Sequence, residues 1–115
     1  EVLSLVGNQG RKIAVLGDML ELGEISSRAH CQIGELVADY RCDALFAFGP
    51  ESKITAQAAK RHGVWACHFM EKDKLWAELS SYLIPGDAVL VKGSRGMRME
   101  EIVDYIIQDG EEGKQ

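Results

Sequence analysis

The sequence has no excess of positive charge and no long apolar run. Its 13 lysines and arginines are outnumbered by 18 aspartates and glutamates, which gives a formal net charge of -5. A protein dedicated to nucleic acids needs a basic surface to neutralise phosphates, so we expect no nucleic-acid partner. No apolar run approaches the roughly 20 residues that cross a bilayer, and residues 1–10 lack the pattern of a signal peptide. We therefore expect a cytoplasmic protein without membrane insertion.

Cysteine pairs and phosphate-binding motifs are also absent from the sequence. The three cysteines, Cys31, Cys42 and Cys67, form no Cys-x-x-Cys pair. We expect small buried thiols in a reducing compartment, with no disulfide and no metal site. The chain lacks the Gly-x-x-x-x-Gly-Lys-Ser/Thr loop that cradles nucleotide phosphates. It also lacks a Gly-x-Gly-x-x-Gly motif after a strand, so a dinucleotide site is not expected.

Two segments with the same pattern stand out in what is present. Residues 12–17 are an apolar run followed by a loop that contains Asp18, and residues 87–92 are an apolar run followed by a glycine-rich loop. Apolar runs bounded by turn residues are typical of buried strands in a parallel sheet. Ligands of open α/β sheets bind at the carboxyl ends of such strands. The sequence thus predicts a site where these two loops meet.

Alternating strands and helices predict one α/β domain, a Rossmann-like, doubly wound parallel sheet with helices on both faces. The predicted strands are residues 12–17, 43–48, 64–69 and 87–92. The first predicted helix begins at a cap on Ser26 or Ser27, and the other predicted helices cover residues 51–61, 72–83 and 98–108. Right-handed crossovers predict the strand order 3-2-1-4, with the first and fourth strands adjacent. Residues 2–6 are expected to be the tail of a helix, and residues 109–115 a frayed tail.

The first predicted helix carries an apolar face. Ile33, Leu36, Val37 and Tyr40 recur at spacings of three and four, and His30 extends this face toward the helix start. We expect these side chains to face the core. The histidine has two interpretations, because the helix begins at the functional edge of the sheet. It is either a core residue with satisfied hydrogen bonds or a participant in a site.

Charges of opposite sign mark the two loops. They are Asp18, Glu21 and Glu24 in the first loop and Lys92, Arg95 and Arg98 in the second. One interpretation is that the loops pair with each other, through Asp18 with Lys92 or Arg95. The other is that Arg95 and Lys92 bind an anionic ligand, the arginine through its planar fork and the lysine as a point charge. The two interpretations are compatible.

Several short segments occur together in a fixed order. They are Gly17-Asp18-Met19-Leu20-Glu21-Leu22-Gly23, His30 with Ile33-Gly34, Gly86-Asp87, Val91-Lys92-Gly93-Ser94-Arg95 and Met99-Glu100. Over residues 11–108 this combination resembles the C-terminal domain of the Mur ligases. Within that family it is most similar to the members that join D-alanyl-D-alanine to UDP-N-acetylmuramoyl-tripeptide.

The resemblance implies a domain of a bacterial ligase of peptidoglycan synthesis. In such a full-length enzyme ATP and Mg2+ are bound mainly by a central domain, and the tripeptide carboxylate is converted to an acyl phosphate that the amine of D-alanyl-D-alanine attacks. The third domain has a Rossmann-like fold and docks on the central domain. The residues implied to bind substrate or nucleotide are Asp18, Glu21, His30, Lys92, Ser94 and Arg95. The chain itself is expected to hold no cofactor, no metal and no catalytic residue.

The chain also departs from the family pattern. The family's domain opens with a strand bearing an Asn-Ala-Asn-Pro-like segment, and nothing similar precedes Glu1. We therefore expect the domain to lack its first strand and to be inactive alone. One alternative, the C-terminal domain of a folylpolyglutamate-synthase-like ligase, is disfavoured by the Lys-Gly-Ser-Arg segment. Another is a stand-alone receiver-like binding module, but the candidate strands end in Phe48-Gly49 and Phe69-Met70-Glu71, without the phospho-accepting aspartate that such a module needs.

Overall fold

Strands and helices alternate along most of the chain in the computed structural model, which describes residues 2–6 and 10–113, with side chains for residues 10–109. Within these residues the strands are β1 (Val2–Val6), β2 (Lys12–Gly17), β3 (Ala44–Phe48), β4 (Trp65–Phe69) and β5 (Ala88–Gly93). The helices are α1 (Ser26–Asp39), α2 (Ser52–Arg61), α3 (Lys72–Tyr82) and α4 (Glu100–Gly113). Two short 3-10 turns, Gly23–Ile25 and Arg95–Met97, precede α1 and α4.

The strands form one sheet in the order β1-β5-β2-β3-β4. The strands from β5 to β4 are parallel, and Ile13 of β2 lies opposite both Ala44 of β3 and Val89 of β5. Because β2, β3, β4 and β5 are the four predicted strands, the predicted order 3-2-1-4 and the doubly wound α/β class are confirmed. The carboxyl ends of β2 and β5 are therefore neighbours, as the candidate site requires.

The prediction for residues 2–6 is wrong, because this segment forms β1 and not the tail of a helix. β1 pairs antiparallel with β5, from Val2 opposite Gly93 to Val6 opposite Val89. Five residues make too few turns for a stable helix, and apolar spacing in so short a run does not separate the two structures. The outer edge of β5 offers backbone donors and acceptors that β1 satisfies. That the domain lacks the family's first strand stays a prediction.

Two helix ends also differ from the prediction. Helix α4 continues past residue 108 to Gly113, because each added residue of a formed helix gains a backbone hydrogen bond. The last two residues, 114 and 115, lie outside the described part. Ser26 is the first residue of α1 and not its cap, because the turn Gly23–Ile25 leads into the helix with helical backbone angles.

Both faces of the sheet carry a hydrophobic core. On one face, α3 and α4 cover a cluster that includes Val15, Phe46, Leu75, Leu79, Val91 and Ile102. On the other face, α1 and α2 cover smaller side chains, among them Ala14, Leu16, Ala47, Val37, Ala56 and Ala59. The small side chains bring α2 close to β3 and β4, and bring α1 and α2 close to each other. This packing fixes where both helices begin at the carboxyl edge.

The apolar face of α1 is only partly inward. His30 and Val37 are buried and Ile33 packs against the core, but Leu36 is 43% exposed and Tyr40 is 69% exposed. Helix α1 packs against α2, and its opposite side borders an open groove of about 700 Å3. The prediction that all five side chains face the core is therefore wrong for Leu36 and Tyr40.

A charged pair joins the amino ends of β2 and β5. The Arg11 guanidinium donates to both carboxylate oxygens of Asp87, at 3.0 and 2.7 Å, and to the Tyr82 carbonyl at 2.8 Å. Asp87 also accepts the Ile84 amide at 2.9 Å. The hydrogen bonds from Arg11 lower the pKa of the Asp87 carboxyl below its ordinary value, although burial acts in the opposite direction. These contacts hold the amino end of the sheet together.

Candidate functional site

The loops that follow β2 and β5 are hydrogen-bonded to each other at the carboxyl edge. The Ser94 amide donates to the Asp18 carbonyl at 3.2 Å, and the Leu20 amide donates to Ser94 Oγ at 2.9 Å. The sequence predicted that these loops lie side by side, and it suggested an ion pair between them. In the structure, Ser94 makes the connection through its backbone and its hydroxyl. The predicted site residue Ser94 thus holds the two loops in register.

Asp18 is buried, with 1% of its surface exposed, and it closes the start of α2. One carboxylate oxygen accepts the Ser52 amide at 2.7 Å and the other accepts the Glu51 amide at 3.1 Å. These are among the amides that a helix leaves unpaired at its first turn, where the helix dipole also favours a negative charge. The partners of Asp18 are therefore backbone amides of α2, where the sequence suggested Lys92 or Arg95. The carboxylate links the end of β2 to α2.

His30 lies between the same loop and the first turn of α1. Its Nε2 accepts the Met19 amide at 3.1 Å, while Nδ1 lies 2.8 Å from the Ser26 carbonyl and 3.2 Å from the Ser26 hydroxyl. The ring is 1% exposed. Of the two interpretations made from the sequence, the geometry matches a buried histidine with satisfied hydrogen bonds.

The charged side chains of the two loops differ in exposure. Arg95 and Glu21 are exposed. Arg95 directly follows Ser94, and Glu21 directly follows Leu20, whose amide donates to Ser94 Oγ. Lys92 is half-buried on the sheet face that α1 covers, where it lines a cavity of about 20 Å3 together with His30. The structure thus gathers Asp18, His30 and Ser94 around the start of the first loop. It presents Arg95 and Glu21 to solvent beside them.

Glu21 has an unusual backbone conformation. Its φ of 63° lies in the left-handed region that residues with a side chain rarely adopt. Such conformations cost on the order of 1 kcal/mol and persist only where the surroundings enforce them. In this loop the hydrogen bonds at Met19 and Leu20 precede the strained residue.

Met99 is a structural contributor to the edge that the site prediction missed. It is fully buried over the ends of β2 and β5. A Cβ atom on Gly93 would lie 2.5 Å from Met99 Cγ, and one on Gly17 would lie 2.9 Å from Met99 Sδ. A side chain at either position would therefore displace Met99 from its place over the strand ends. The sequence contained a signal, since Met99 belongs to the Met99-Glu100 segment, one of those on which the family resemblance rests.

The capping of α2 by Asp18 had no local signal in the sequence. Helix α2 is preceded by Gly49, Pro50 and Glu51, and no side chain of its own caps it. The acceptor comes from a residue more than thirty positions earlier in the chain. Such a contact follows only from the tertiary arrangement of β2 beside β3.

The described side chains offer no evident metal centre. Among residues 10–109, no group of three histidine, cysteine or acidic side chains is placed to hold a metal ion. Nor does any helix within the described ranges combine the length and apolar character needed to cross a membrane. At this edge, backbone groups and Ser94 form hydrogen bonds, and the exposed charges include those of Arg95 and Glu21.

Comparison with known proteins identifies relatives of this domain. The family model described as "Mur ligase, glutamate ligase domain" matches residues 1–95. The UDP-N-acetylmuramoyl-tripeptide–D-alanyl-D-alanine ligase of Bacillus subtilis (strain 168) is 36% identical over 101 residues, which cover 86% of this chain and 22% of that protein. The enzyme of the same name from Escherichia coli (strain K12) is 34% identical over 103 residues, covering 88% and 22%.

Solved structures of the same family have a similar fold. The MurF ligase of Thermotoga maritima, in complex with ADP, gives a TM-score of 0.65 at 29% identity, over 83% of this chain and 21% of that one. MurF of Acinetobacter baumannii gives a TM-score of 0.74 at 24% identity, over 88% of this chain and 23% of that one. The chain spans about a fifth of the length of these relatives. Since the family model matches most of the chain, the resemblance is confirmed, and the chain belongs to the family of the Mur ligase, glutamate ligase domain.

Proposed function

We propose that the chain is the C-terminal domain of a ligase that joins D-alanyl-D-alanine to UDP-N-acetylmuramoyl-tripeptide at the expense of ATP. In this reaction the tripeptide carboxylate takes the γ-phosphoryl group of ATP and becomes an acyl phosphate. The amine of D-alanyl-D-alanine attacks the acyl carbon, the amide bond forms, and phosphate leaves with ADP. The names and identities of the relatives from Bacillus subtilis and Escherichia coli support this assignment.

The observation that carries the proposal is the junction of the two characteristic loops. The Gly17–Gly23 segment and the Lys92–Arg95 segment are far apart in the chain, yet Ser94 binds Asp18 and Leu20 directly. Every reactant of the proposed reaction carries phosphate or carboxylate groups. An exposed arginine held at this junction suits such groups, because its planar fork forms paired hydrogen bonds with them. We assign Arg95, with Lys92 behind it, to the contact with substrate or nucleotide.

The chain contributes one part of the active site. It contains no phosphate-cradling loop, so we assign ATP binding mainly to the central domain of the parent ligase, on which this domain docks. Mg2+ bound there would neutralise the phosphate charge during transfer. Closure of the domain would bring its carboxyl edge to the reactants and exclude water from the acyl phosphate. A bacterial cytoplasmic location agrees with these substrates.

The proposal predicts activity for the parent ligase and none for this chain. The parent protein should release phosphate from ATP only when both UDP-N-acetylmuramoyl-tripeptide and D-alanyl-D-alanine are present, with formation of the pentapeptide product. The 115-residue chain should show neither reaction at any concentration. Mass spectrometry of the product and a coupled phosphate assay measure both. ATP turnover by the purified chain would contradict the division of roles, and a parent protein that ligates a different amine would refute the substrate.

A further inference from the structure

The hydrogen-bond partners of His30 indicate which ring nitrogen carries the proton. The Met19 amide can only donate a hydrogen bond, so Nε2, 3.1 Å away, must accept it and carries no proton. The proton therefore lies on Nδ1, which is 2.8 Å from the Ser26 carbonyl and donates to it. Both ring nitrogens are thus engaged with the backbone, one on each side of the ring.

A substrate has no access to this ring. His30 is 1% exposed, and the cavity beside it measures about 20 Å3. A space of that size accommodates about one water molecule. Any effect of His30 on a ligand at the sheet edge must therefore pass through the backbone that the ring holds.

That backbone is held from two sides. His30 on α1 accepts the Met19 amide, and Ser94, after β5, accepts the next amide, that of Leu20, at 2.9 Å. The residue that follows is Glu21, in its left-handed conformation. Two consecutive amides bound to different elements fix the direction in which the chain leaves this point. They supply the constraint that a strained residue requires.

We infer that His30 is a positioning residue, which acts through the Met19 amide to set the loop of Leu20 and Glu21 against Ser94 and Arg95. This role differs from the direct contact with substrate or nucleotide that the sequence suggested for His30. The inference rests on the proposed function for its effect on catalysis, whereas its effect on the loop is independent of that function.

A pair of substitutions separates the two nitrogens of the ring. In His30→Gln the side-chain oxygen reaches the position of Nε2 and can accept the Met19 amide. In His30→Asn the shorter side chain reaches only the position of Nδ1, so the Met19 amide loses its acceptor. His62→Gln serves as the matched control, because His62 is an exposed histidine at the far end of α2.

Amide hydrogen exchange of the 115-residue chain, followed by NMR, tests the effect on the loop. The Met19 amide should exchange at least about tenfold faster in His30→Asn, and within about threefold of the wild-type rate in His30→Gln and His62→Gln. Equal exchange of Met19 in the glutamine and asparagine variants would overturn the inference. A general loss of structure would accelerate exchange in the core of β3 as well, and the Met19 rate is therefore compared with that of Phe46.

Kinetics of the parent ligase test the effect on the proposed reaction. At a temperature where all variants are folded, kcat/KM for D-alanyl-D-alanine should fall at least about tenfold in His30→Asn and recover to within about threefold in His30→Gln. Faster Met19 exchange with unchanged kcat/KM in His30→Asn would refute the positioning role. A wild-type parent without ligase activity would refute the proposed function alone, and the exchange result would still decide whether His30 holds the loop.

Discussion

The two ends of β2 and β5 are joined by different kinds of contact. At the amino end, Arg11 and Asp87 form a two-pronged ion pair, with Arg11 also lying 4.2 Å above the centre of the Tyr82 ring. At the carboxyl end, the junction consists of the Ser94 hydroxyl and three backbone groups, the amides of Ser94 and Leu20 and the carbonyl of Asp18. The amino end thus uses its charges within the fold. At the carboxyl end, the hydrogen bonds between the two loops involve no charged group, and Arg95 and Glu21 are exposed.

This difference supports the proposal that Arg95 binds an anionic ligand. A guanidinium that already donates to a carboxylate and a carbonyl, as Arg11 does, has little capacity left for a ligand. An exposed guanidinium on a loop contributes little to stability and remains available. Asp18 differs from the exposed charges at the carboxyl end, because its carboxylate is buried and accepts hydrogen bonds from the amides at the start of α2. The two ends therefore differ in whether a charged side chain is bonded within the fold or exposed to solvent. Substitutions of single residues test this difference.

Removal of Asp87 should have the largest effect on stability. Asp87→Ala leaves Arg11 without its carboxylate and the Ile84 amide without its acceptor, and we expect a loss of about 3 kcal/mol in the free energy of unfolding. Urea unfolding of the chain measures this. Asp104→Ala, which removes an exposed acid on α4, is the control and should change the free energy of unfolding by less than about 0.5 kcal/mol. A similar small change for Asp87→Ala would show that the amino end does not depend on its charges.

Removal of the Asp18 carboxylate should have the next largest effect. Asp18→Ala leaves the Glu51 and Ser52 amides at the start of α2 without acceptors, and helix caps of this kind are worth up to about 2 kcal/mol. Asp18→Asn keeps one acceptor oxygen and should lose less. Urea unfolding and exchange of the Ser52 amide measure both variants. Unchanged Ser52 exchange in Asp18→Ala would contradict the capping role.

Acid should weaken the amino end by a smaller amount. Since Arg11 lowers the pKa of Asp87 in the folded chain, the unfolded chain binds a proton first as the pH falls. The stabilisation is therefore complete above about pH 5, somewhat above the ordinary aspartate pKa of about 4, and is lost as the pH decreases through the lowered value. Unfolding measured from pH 6 to pH 2.5 should show the advantage of the wild type over Asp87→Asn shrinking toward low pH. A constant difference would contradict the pKa assignment.

The sequence contained enough information for the sheet but not for its edges. The apolar runs at residues 12–17 and 87–92, with the handedness of crossovers, predict the adjacency of β2 and β5. The five residues of β1 were misassigned because so short an apolar run fits a strand or a helix, and pairing with β5 decided between them. Leu36 and Tyr40 matched the helical period, but they are exposed. A period shows which side chains share a face of the helix, and it does not show how much of that face other elements cover.

The site was predictable in its location and less so in its contacts. The segments after β2 and β5 were expected to meet, and they do. The partners of Asp18 could not be foreseen, because the Glu51 and Ser52 amides carry no side-chain signature. That Arg95 or Lys92 binds a ligand stays a prediction.

Kinetics and stability of the Arg95→Ala parent ligase test the central claim most directly. The matched control is Arg61→Ala, which removes an exposed arginine at the last residue of α2, the helix whose first turn lies at this edge. We predict that Arg95→Ala lowers kcat/KM by about 30-fold, equivalent to about 2 kcal/mol, because a charge-assisted contact with substrate or nucleotide is lost. The free energy of unfolding should change by less than about 0.5 kcal/mol. Wild-type kinetics in Arg95→Ala, or a loss of activity matched by a loss of stability, would contradict the account.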